Sequence, residues 1–586
     1  MITIDFETAA ITKDPLDYPP IPVGVSIKVD DGPSTYHRGT PLELQRLLMP
    51  LWNQPLLMHN ASFDLMVAMG HCDMPYPREA HDTLPLLFLR DPYAKTLSLK
   101  PSAEALLDWP PEEQDDLREW IVTNVREANR RNFGAYIAQA PFELVKPYAE
   151  GDTDRTKALW DVLQDYRGEA YDREMAVLPI LLGNEQTGIR VDAKRLAHDV
   201  DYFRTRLERV DQHLHRALGG SFDVDSNEEL ADQLERALRL KLPLTEKGSR
   251  RTDKDTLRGL LMPDSLKVLL LYRSALAQDL RTFLTPWEAM ASHNGCIYTH
   301  WNSIRGAGNR KGGGGARTGR LSSEPNFQNI PSVDKRTSLY ERLAALLGCS
   351  LADARRRLPL PTMRSYIVPW EDDWVVFGRD FSQQELRLLA FFEDGPLLEL
   401  YQQFPEMDIH QAVGELIATV TGNAFPRKLV KILNFLTIYG GGAGRLAEQA
   451  GITVEEAQAV REAYFNALPS VRKLMRQVSQ QSEVKTLGGR AYFAERGFEY
   501  KLLNYLIQGS AADQTKEALR LWSRSGARAK FYLTVHDELV FTCPRANADE
   551  EMRLLQGAMD GAFADRLDVP FRSDGYVGTT WALDDK

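Results

Sequence analysis

The sequence has 586 residues, of which 43% are hydrophobic and 26% are charged, and its formal net charge is −11. This composition is ordinary for a soluble globular chain that buries large cores, and the length predicts about three to five domains. No apolar run approaches the roughly 20 residues of a membrane-spanning helix, so a membrane protein is excluded. The acidic total argues only weakly against a nucleic-acid partner, because a local basic surface decides such binding.

The N-terminal residues and the pattern of cysteines both indicate a cytoplasmic protein. Met1 leads directly into "ITIDFET", without the basic and apolar parts of a secretion signal. The four cysteines, Cys72, Cys296, Cys349 and Cys543, are scattered and form no CxxC pair. Free thiols in a reducing compartment are therefore favoured over disulfides or a zinc site.

The predicted elements divide the chain into regions of different character. Residues 1–165 alternate short strand-like runs with helical stretches, which is typical of an α/β domain. Residues 166–290 are largely helical and rich in charge. Strands return from about residue 295, helices follow near 396–480, and strands recur near 484–494 and 531–541. This order indicates a β-rich base that is interrupted by a helical insertion.

Two stretches read as insertions. Residues 305–320, "RGAGNRKGGGGARTGR", carry five basic side chains and no acidic one. They form either a contact to a nucleic-acid backbone or a mobile loop, and they lack the Gly-Lys-Ser/Thr of a phosphate-binding loop. Residues 338–361 predict two short helices within a connection.

A first set of carboxylates begins on the first predicted strand. Asp5 and Glu7 are two residues apart, so their side chains point to the same face of the strand. Packed carboxylates repel unless they are protonated or bridged by cations. The segment "HNASFD" adds Asp64, and "YAEGD" adds Tyr148 and Asp152, which are neighbours on one helix face. The alternative is a chance set of surface acids.

A second set of polar residues surrounds Asp380, which ends the β-prone run in "VVFGRDFSQQELR". In "PRKLVKILNFLTIYGGG", residues Arg427, Lys431, Phe435 and Tyr439 recur every four positions. Each step drifts only about 40° around a helix, so one face carries two cations followed by two aromatic rings. This order fits a triphosphate and a stacked base. The alternative is a solvated basic edge with one core aromatic residue.

The segment "FYLTVHDELVF" (531–541) places His536, Asp537 and Glu538 between two β-prone runs. A bare carboxylate in a buried strand costs several kcal/mol or more. The triplet is therefore either the solvated tip of a hairpin or a site that holds a cation. Asp537 is the candidate ligand, and Glu538 is expected only to support it.

The first set resembles the DEDD 3′→5′ exonucleases, in the form with a tyrosine in the last motif. In that family four carboxylates hold two Mg²⁺ ions about 4 Å apart. The resemblance implies that Asp5, Glu7, Asp64 and Asp152 are metal ligands and that Tyr148 orients the attacking water.

The second set resembles the family A DNA polymerases, of the DNA polymerase I type. "DFSQQELR" is similar to motif A, "RKLVKILNFLTIYG" to motif B and "VHDE" to motif C, while "RTGRLSSEPNFQNIP" and "NYLIQGSAAD" match two further signatures. The resemblance runs from about residue 174 to the C-terminus. It implies a multidomain α/β and α+β fold, in which an RNase H-like exonuclease domain precedes a right-hand polymerase domain.

The resemblance also implies domain bounds and site roles. The expected parts are the exonuclease domain (1–165), thumb and connecting helices (166–295), first part of the palm (296–395), fingers (396–483) and second part of the palm (484–586). Asp380 and Asp537 hold two Mg²⁺ ions, with Mn²⁺ as an alternative, and Lys431 is catalytic. The nucleotide-binding residues are Arg427, Lys431, Phe435, Tyr439, Glu385 and His410, with Glu385 as a steric gate against a 2′-OH. The DNA-binding residues are Arg320, Gln328, Asn329, Asn504, Gln508 and His536.

These roles predict primer–template DNA and dNTPs as partners. Replisome factors such as a helicase, a single-strand-binding protein or a processivity factor are compatible with this reading but leave no recognisable binding segment. Gln384 and Leu436 depart from the residues common in relatives and are expected to affect nucleotide selectivity. The start at Met1 leaves no room for a 5′-nuclease domain, a layout that resembles a compact phage enzyme acting in a bacterial host cytoplasm.

Three other classes compete with this reading. A single-subunit RNA polymerase shares the palm chemistry, but Glu385 and the editing motifs argue against it. An exonuclease with a non-catalytic DNA-binding region would require a damaged polymerase site, whereas Asp380, Lys431 and Asp537 are all present. A purely structural DNA-binding protein leaves both carboxylate sets unexplained.

Overall fold

The computed structural model describes residues 1–12, 14–245, 248–304, 315–331 and 333–582. These residues form two compact units. The first unit comprises Met1–Thr187, Thr299–Gln328 and Phe377–Val577, and the second comprises Gly188–Tyr298, Asn329–Val376 and the chain from Gly578. Most of the Gly-rich stretch expected to contact a backbone (306–316) lies outside the described residues.

The first unit begins with a mixed α/β region. Its elements are β1 (Ile2–Thr8), β2 (Pro22–Val29), β3 (Ser34–Arg38), α1 (Pro41–Leu48), β4 (Leu56–Met58), α2 (Ala61–His71), β5 (Ala80–Asp82), α3 (Thr83–Arg90), α4 (Leu99–Leu107), α5 (Glu112–Asn124), α6 (Phe142–Val162) and α7 (Glu169–Thr187).

Five strands form one sheet in the order β3-β2-β1-β4-β5. Strand β1 is antiparallel to β2 and parallel to β4, and β4 is parallel to β5. Strand β1 is almost continuously buried because it lies at the centre of this sheet. Its apolar residues pack with those of α2 into one core. The sheet therefore holds Asp5 and Glu7 on one face of its central strand, as the spacing predicts.

The second unit is mainly helical. Its elements are β6 (Ile189–Arg190), α8 (Ala193–Leu218), α9 (Asn227–Leu238), α10 (Lys254–Gly259), α11 (Asp264–Asp279), α12 (Thr285–Asn294), β7 (Cys296–Ile297), α13 (Val333–Leu347) and α14 (Leu351–Arg357). The two helices predicted within 338–361 are thus confirmed, although the first begins earlier.

The first unit continues with a second sheet and the helices packed beside it. Its further elements are β8 (His300–Asn302), β9 (Ser322–Glu324), β10 (Trp374–Phe381, the first residues of which fall in the second unit), α15 (Gln384–Glu393), α16 (Pro396–Gln403), α17 (Ile409–Thr421), α18 (Arg427–Ile438), α19 (Ala443–Ala450), α20 (Val454–Ala467), α21 (Pro469–Ser479), β11 (Glu483–Lys485), β12 (Ala491–Phe493), α22 (Lys501–Arg524), β13 (Lys530–Val535), β14 (Glu538–Pro544), α23 (Ala548–Asp560) and β15 (Ser573–Gly578).

The second sheet has the strand order β13-β14-β10-β15. Strands β13 and β14 are antiparallel, and Val535 pairs with Glu538 across a two-residue turn. His536 takes a positive φ of 61° at this turn. The predicted hairpin with His536 and Asp537 at its tip is therefore confirmed.

A buried ion network joins α7, α22 and the β11–β12 hairpin. Arg490 donates to Glu174 Oε1 (2.5 Å) and to Asp513 Oδ1 (2.6 Å). Lys516 Nζ donates to both oxygens of Glu174 (2.7 and 2.8 Å). The buried members are three cations and three carboxylates, namely Arg173, Arg490, Lys516, Glu174, Asp513 and Glu517. These six buried residues together carry no net charge, so their charges compensate one another.

All four cysteines are free thiols, as predicted. Among the described residues, no helix is long and apolar enough to cross a membrane.

Candidate active sites

The first candidate site lies where β1 meets α6. One carboxylate oxygen from each of Asp5, Glu7 and Asp152 lies within 4.8 Å of the other two. The strand presents Asp5 and Glu7 on one face, and α6 brings Asp152 from 145 residues further along the chain. We call these three residues the first acidic cluster.

Asp64 adjoins this cluster but is not one of its three mutually close members. Its Oδ1 accepts a hydrogen bond from the Phe6 backbone N–H (2.8 Å), which ties α2 to β1. Burial raises the pKa of Asp64 well above its usual range, and the nearby charge of Asp5 raises it further. Asp64 therefore faces Asp5, in keeping with the predicted fourth ligand.

The acidic groups of this site are strongly perturbed. Burial, followed by the charge of Asp152, raises the pKa of Asp5 to about 8. Burial, followed by the charges of Asp5 and Asp152, raises the pKa of Glu7 well above its usual range. The pKa of Asp152 is also raised by burial, although Lys100 and Arg155 oppose this effect.

Lys100 at the start of α4 completes the site. Its Nζ donates to Asp152 Oδ2 (2.5 Å) and lies 3.8 Å from the ring centroid of Tyr148. Burial, followed by the charges of Asp152 and Glu7, raises the pKa of Tyr148 well above its usual range. Sequence reasoning missed Lys100, which lies in no motif and is 48 residues from Tyr148.

The first acidic cluster fits a divalent cation. Glu7 Oε1 and Asp152 Oδ1 are buried and accept no hydrogen bond from any residue that the structure describes. Buried carboxylate oxygens without donors are costly, and hard divalent cations prefer such oxygen ligands. A bound cation would therefore satisfy oxygens that the protein leaves unsatisfied.

The second candidate site lies where β10 meets the β13–β14 hairpin. Phe381 N donates to the backbone carbonyl of Asp537 (3.3 Å), which aligns the two strand ends. The side chains of Asp380 and Asp537 share a hydrogen bond. Burial raises the pKa of Asp537 to about 6, and the charge of Glu385 adds to this rise. Two carboxyls this close share a proton or a cation, so this pair also fits a divalent ion.

Glu385 lies beside this pair at the start of α15. Its carboxylate accepts hydrogen bonds from Arg320 and from Tyr439 Oη (2.9 Å). Gln508 on α22 also bonds to Tyr439. The structure thus brings together the predicted gate, one predicted nucleotide residue and two predicted DNA-binding residues.

The predicted stripe on α18 is present. The helix begins at Arg427 with Pro426 as its N-cap, and Gly440 follows its end with a φ of 68°. Arg427 and Tyr439 are exposed, while Lys431 and Phe435 are partly exposed. The rings of Phe435 and Tyr439 are nearly parallel (15°), with centroids 6.4 Å apart.

His410 on α17 borders the stripe. Its ring lies 5.9 Å from that of Phe435, and its Nδ1 accepts a hydrogen bond from Asn434 Nδ2 (3.0 Å). Burial lowers the pKa of His410 to about 4. Asp408, which sequence reasoning missed, caps α17 and pairs with Arg427 at 2.5 Å.

Three of the four remaining predicted DNA-binding residues lie at or beside the hairpin or on α22. Gln328 Nε2 donates to the Thr534 carbonyl on β13 (2.9 Å). His536 is exposed at the hairpin tip, and Asn504 is one turn before Gln508 on α22. Asn329 is exposed but belongs to the second unit.

Glu538 lies at the start of β14, next to Asp537. It is buried, and its Oε1 accepts a hydrogen bond from Tyr576 Oη on β15 (2.5 Å). The supporting role expected of Glu538 stays a prediction.

The two departures from the family pattern are both buried. Gln384 Nε2 donates to the Ala511 carbonyl, Gln514 Oε1 and Thr515 Oγ1 at 3.1 to 3.4 Å. These bonds attach the helix of the gate residue to α22. Leu436 packs in the apolar core beside α18.

A family model described as DNA polymerase family A matches residues 193–583, which is more than half of the chain. The chain belongs to DNA polymerase family A. The family assignment that the motifs predict is therefore confirmed.

Known family A relatives cover most of this chain. DNA polymerase I of Geobacillus stearothermophilus is 29% identical over 466 residues, which are 74% of this chain and 49% of the relative. The thermostable DNA polymerase I of Thermus aquaticus is 30% identical over 436 residues, or 70% and 47%. DNA polymerase I of Pseudomonas aeruginosa is 28% identical over 633 residues, or 99% and 63%. The chain thus spans about half the length of the first two relatives.

A solved structure shares the fold. It is described as the POL domain of Pol1 from M. smegmatis in complex with DNA primer-template and dNTP. The TM-score is 0.71 at 24% identity, over 99% of this chain and 95% of that one. The expected multidomain fold of a family A polymerase is confirmed, while the division into five parts and the exonuclease domain stay predictions.

Proposed function

We propose that this chain is a template-directed DNA polymerase that extends a primer 3′-OH with dNTPs and that also carries a 3′→5′ exonuclease. The observation behind this proposal is the pair of separate acidic sites, one at β1 and α6 and the other where β10 meets the hairpin. Membership of family A supports the polymerase half. Relatives named DNA polymerase I support it further.

At the polymerase site, Asp380 and Asp537 are the residues that would hold divalent ions, two Mg²⁺ or alternatively Mn²⁺. Such ions, when bound, activate the primer 3′-OH and stabilise the leaving pyrophosphate. The strand end and the hairpin tip fix the two carboxylates side by side, so the protein supplies the geometry in advance.

The face of α18 binds the incoming nucleotide. Arg427 and Lys431 neutralise the triphosphate. Lys431, the second cation of the stripe on α18, also assists catalysis. Phe435 packs near the sugar and base, and Tyr439 lies near the templating base. His410 stays neutral near pH 7, so it offers a hydrogen bond at this face without adding charge.

Glu385 selects deoxyribose. Its carboxylate is held by Arg320 and Tyr439, so it cannot swing aside to admit a 2′-OH. The primer–template minor groove is contacted by Arg320, Gln328, Asn329, Asn504, Gln508 and His536. Minor-groove acceptors are nearly common to all correct pairs, so these contacts test geometry rather than sequence.

At the exonuclease site, Asp5, Glu7, Asp64 and Asp152 would hold two divalent ions, and Tyr148 orients the attacking water. The unsatisfied oxygens of Glu7 and Asp152 support this assignment. A second site that removes mispaired ends raises selectivity beyond what one binding step provides.

The proposed arrangement is an exonuclease domain (1–165), a thumb, a palm and fingers, with primer–template DNA and dNTPs as partners. A role in DNA replication follows from these activities.

Primer extension with Mg²⁺ tests the two halves separately. Asp537→Ala should abolish extension and leave 3′ trimming intact, whereas Asp5→Ala should do the reverse. Loss of both activities in either folded variant would refute the two-site assignment. If trimming persisted and extension were absent from the unmodified chain, the exonuclease with a non-catalytic DNA-binding region would be favoured instead.

A competition between rNTPs and dNTPs on the same primed template tests the alternative of an RNA polymerase. We expect dNTP incorporation to dominate, and Glu385→Ala should reduce that preference. Preferential use of rNTPs by the unmodified chain would overturn the proposal.

A further inference from the structure

Lys100 occupies an unexpected position in the first acidic cluster. Its side chain is only 11% exposed, and its Nζ lies 2.5 Å from Asp152 Oδ2 and 3.8 Å above the Tyr148 ring. Its charge also reaches Asp5 and Glu7, where it opposes the rise in their pKa. One ammonium group therefore lies close to the three carboxylates of the cluster, of which Glu7 and Asp152 are buried.

The contact competes with a metal ion. Asp152 Oδ2 already accepts from Lys100, while Asp152 Oδ1 has no hydrogen-bond donor among the described residues. A divalent ion shared by the three carboxylates would lie within a few ångströms of the ammonium group, where like charges repel strongly. Arg155 lies farther from Asp152, at 3.9 Å, and is bonded instead to Glu113.

We propose that Lys100 is a resident counter-cation of this cluster: it holds Asp152 in place in the metal-free protein and gives way when a divalent ion binds. The proposal rests on the proposed exonuclease function for the identity of the metal ligands. It goes further by assigning a role to a residue outside the three exonuclease motifs. Lys100 affects metal binding, and it keeps the carboxylates ordered before a metal ion binds.

The first test measures the reactivity of Lys100 in the unmodified full-length chain. An amine-acylating reagent is applied in EDTA and in Mg²⁺, and labelling is read by peptide mass spectrometry. Because Mg²⁺ releases the ammonium group from Asp152, we expect Lys100 to react at least about fivefold faster in Mg²⁺. Lys157 is the internal control, since it pairs with Asp31 and Asp161 at the surface and should react equally in both conditions. Equal labelling of Lys100 in the two conditions would overturn the proposal.

The second test compares Lys100→Met with Lys157→Met by hydrogen exchange, again in EDTA and in Mg²⁺. In EDTA, Lys100→Met leaves the carboxylates uncompensated, so amides of α4 and α6 should exchange about tenfold faster than in the unmodified chain. Mg²⁺ should restore most of that protection, because the ion replaces the lost charge. Lys157→Met should give the same exchange with and without Mg²⁺.

If amide exchange in Lys100→Met stayed fast after Mg²⁺ is added, Lys100 would be a packing residue. That result would contradict the proposal. These readouts do not depend on cleavage. If the Mg²⁺-dependent pattern appears but the unmodified chain does not trim DNA, the proposed exonuclease function fails while the inference about Lys100 stands. If the unmodified chain trims DNA but the Mg²⁺-dependent labelling and exchange are absent, the inference about Lys100 fails while the proposed exonuclease function stands.

Discussion

Replacing Arg490 by methionine should destabilise the first unit strongly, because Arg490 is the centre of the buried ion network. Its side chain is 2% exposed, and it makes ion pairs of 2.5 Å to Glu174 and 2.6 Å to Asp513. Methionine keeps much of the volume but removes the charge, so three buried carboxylates face only two buried cations. Among the residues that the structure describes, Asp513 then keeps only Arg173, at 3.7 Å, as an ion-pair partner. Breaking a buried pair in this way costs about 3–5 kcal/mol.

The matched control is Arg118→Met. Arg118 pairs with Asp115 at the same 2.5 Å, but its side chain is 28% exposed and its partner's is 64% exposed. A surface pair of this kind contributes less than about 1 kcal/mol. If the first unit unfolds as one, a loss of about 4 kcal/mol lowers its melting temperature by about 5 °C, whereas the control variant should shift by about 1 °C or less.

The assay measures thermal and urea unfolding of the 586-residue variants, with circular dichroism as the readout. Equal shifts for Arg490→Met and Arg118→Met would refute the reasoning, because burial would then add nothing to the cost of the broken pair. A more stable Arg490→Met would show that the apolar side chain outweighs the charges it replaces.

Three further predictions concern the two sites. The pKa of Asp5 is about 8 against a usual 3.8, so the unfolded chain releases this proton at lower pH and stability in EDTA should fall as pH rises from about 4 to 8. A urea midpoint that stays constant over this range would contradict this prediction. Asp5→Asn should reduce the slope without abolishing it, because burial also raises the pKa of Glu7. Tyr439→Phe removes a hydrogen bond that holds the carboxylate of Glu385, so discrimination against rNTPs should drop by about threefold to tenfold. Discrimination is measured as the ratio of the kcat/KM values for dNTP and rNTP. An unchanged ratio would show that Glu385 needs no support from Tyr439. Tyr576→Phe removes the donor to Glu538 and should cost about 1–2 kcal/mol of unfolding free energy while extension activity persists; lost extension in a stable variant would place Glu538 in the chemistry itself.

Local spacing predicted the features that depend on one element. The two-residue period of a strand places Asp5 and Glu7 together, and the four-residue period of a helix places Tyr148 beside Asp152. The same reasoning found the hairpin that carries Asp537. These positions follow from the periodicity of a single segment, so the sequence is sufficient for them.

Contacts between distant segments were not predictable in the same way. Lys100 reaches Asp152 only because α4 packs beside α6, and Asp408 reaches Arg427 only because α17 packs beside α18. Nothing in the sequence near Lys100 marks it as part of a site, since a single lysine at a helix start is common on protein surfaces.

By itself, the sequence determined on which strand, helix or turn each candidate site residue lies, because those positions depend on local periodicity and on motif order. Only the tertiary structure decided which charges compensate one another. The packing of elements far apart in the chain places Lys100 beside the acidic cluster and Arg490 in the buried network. The burial that this packing creates strengthens the interactions of both charges.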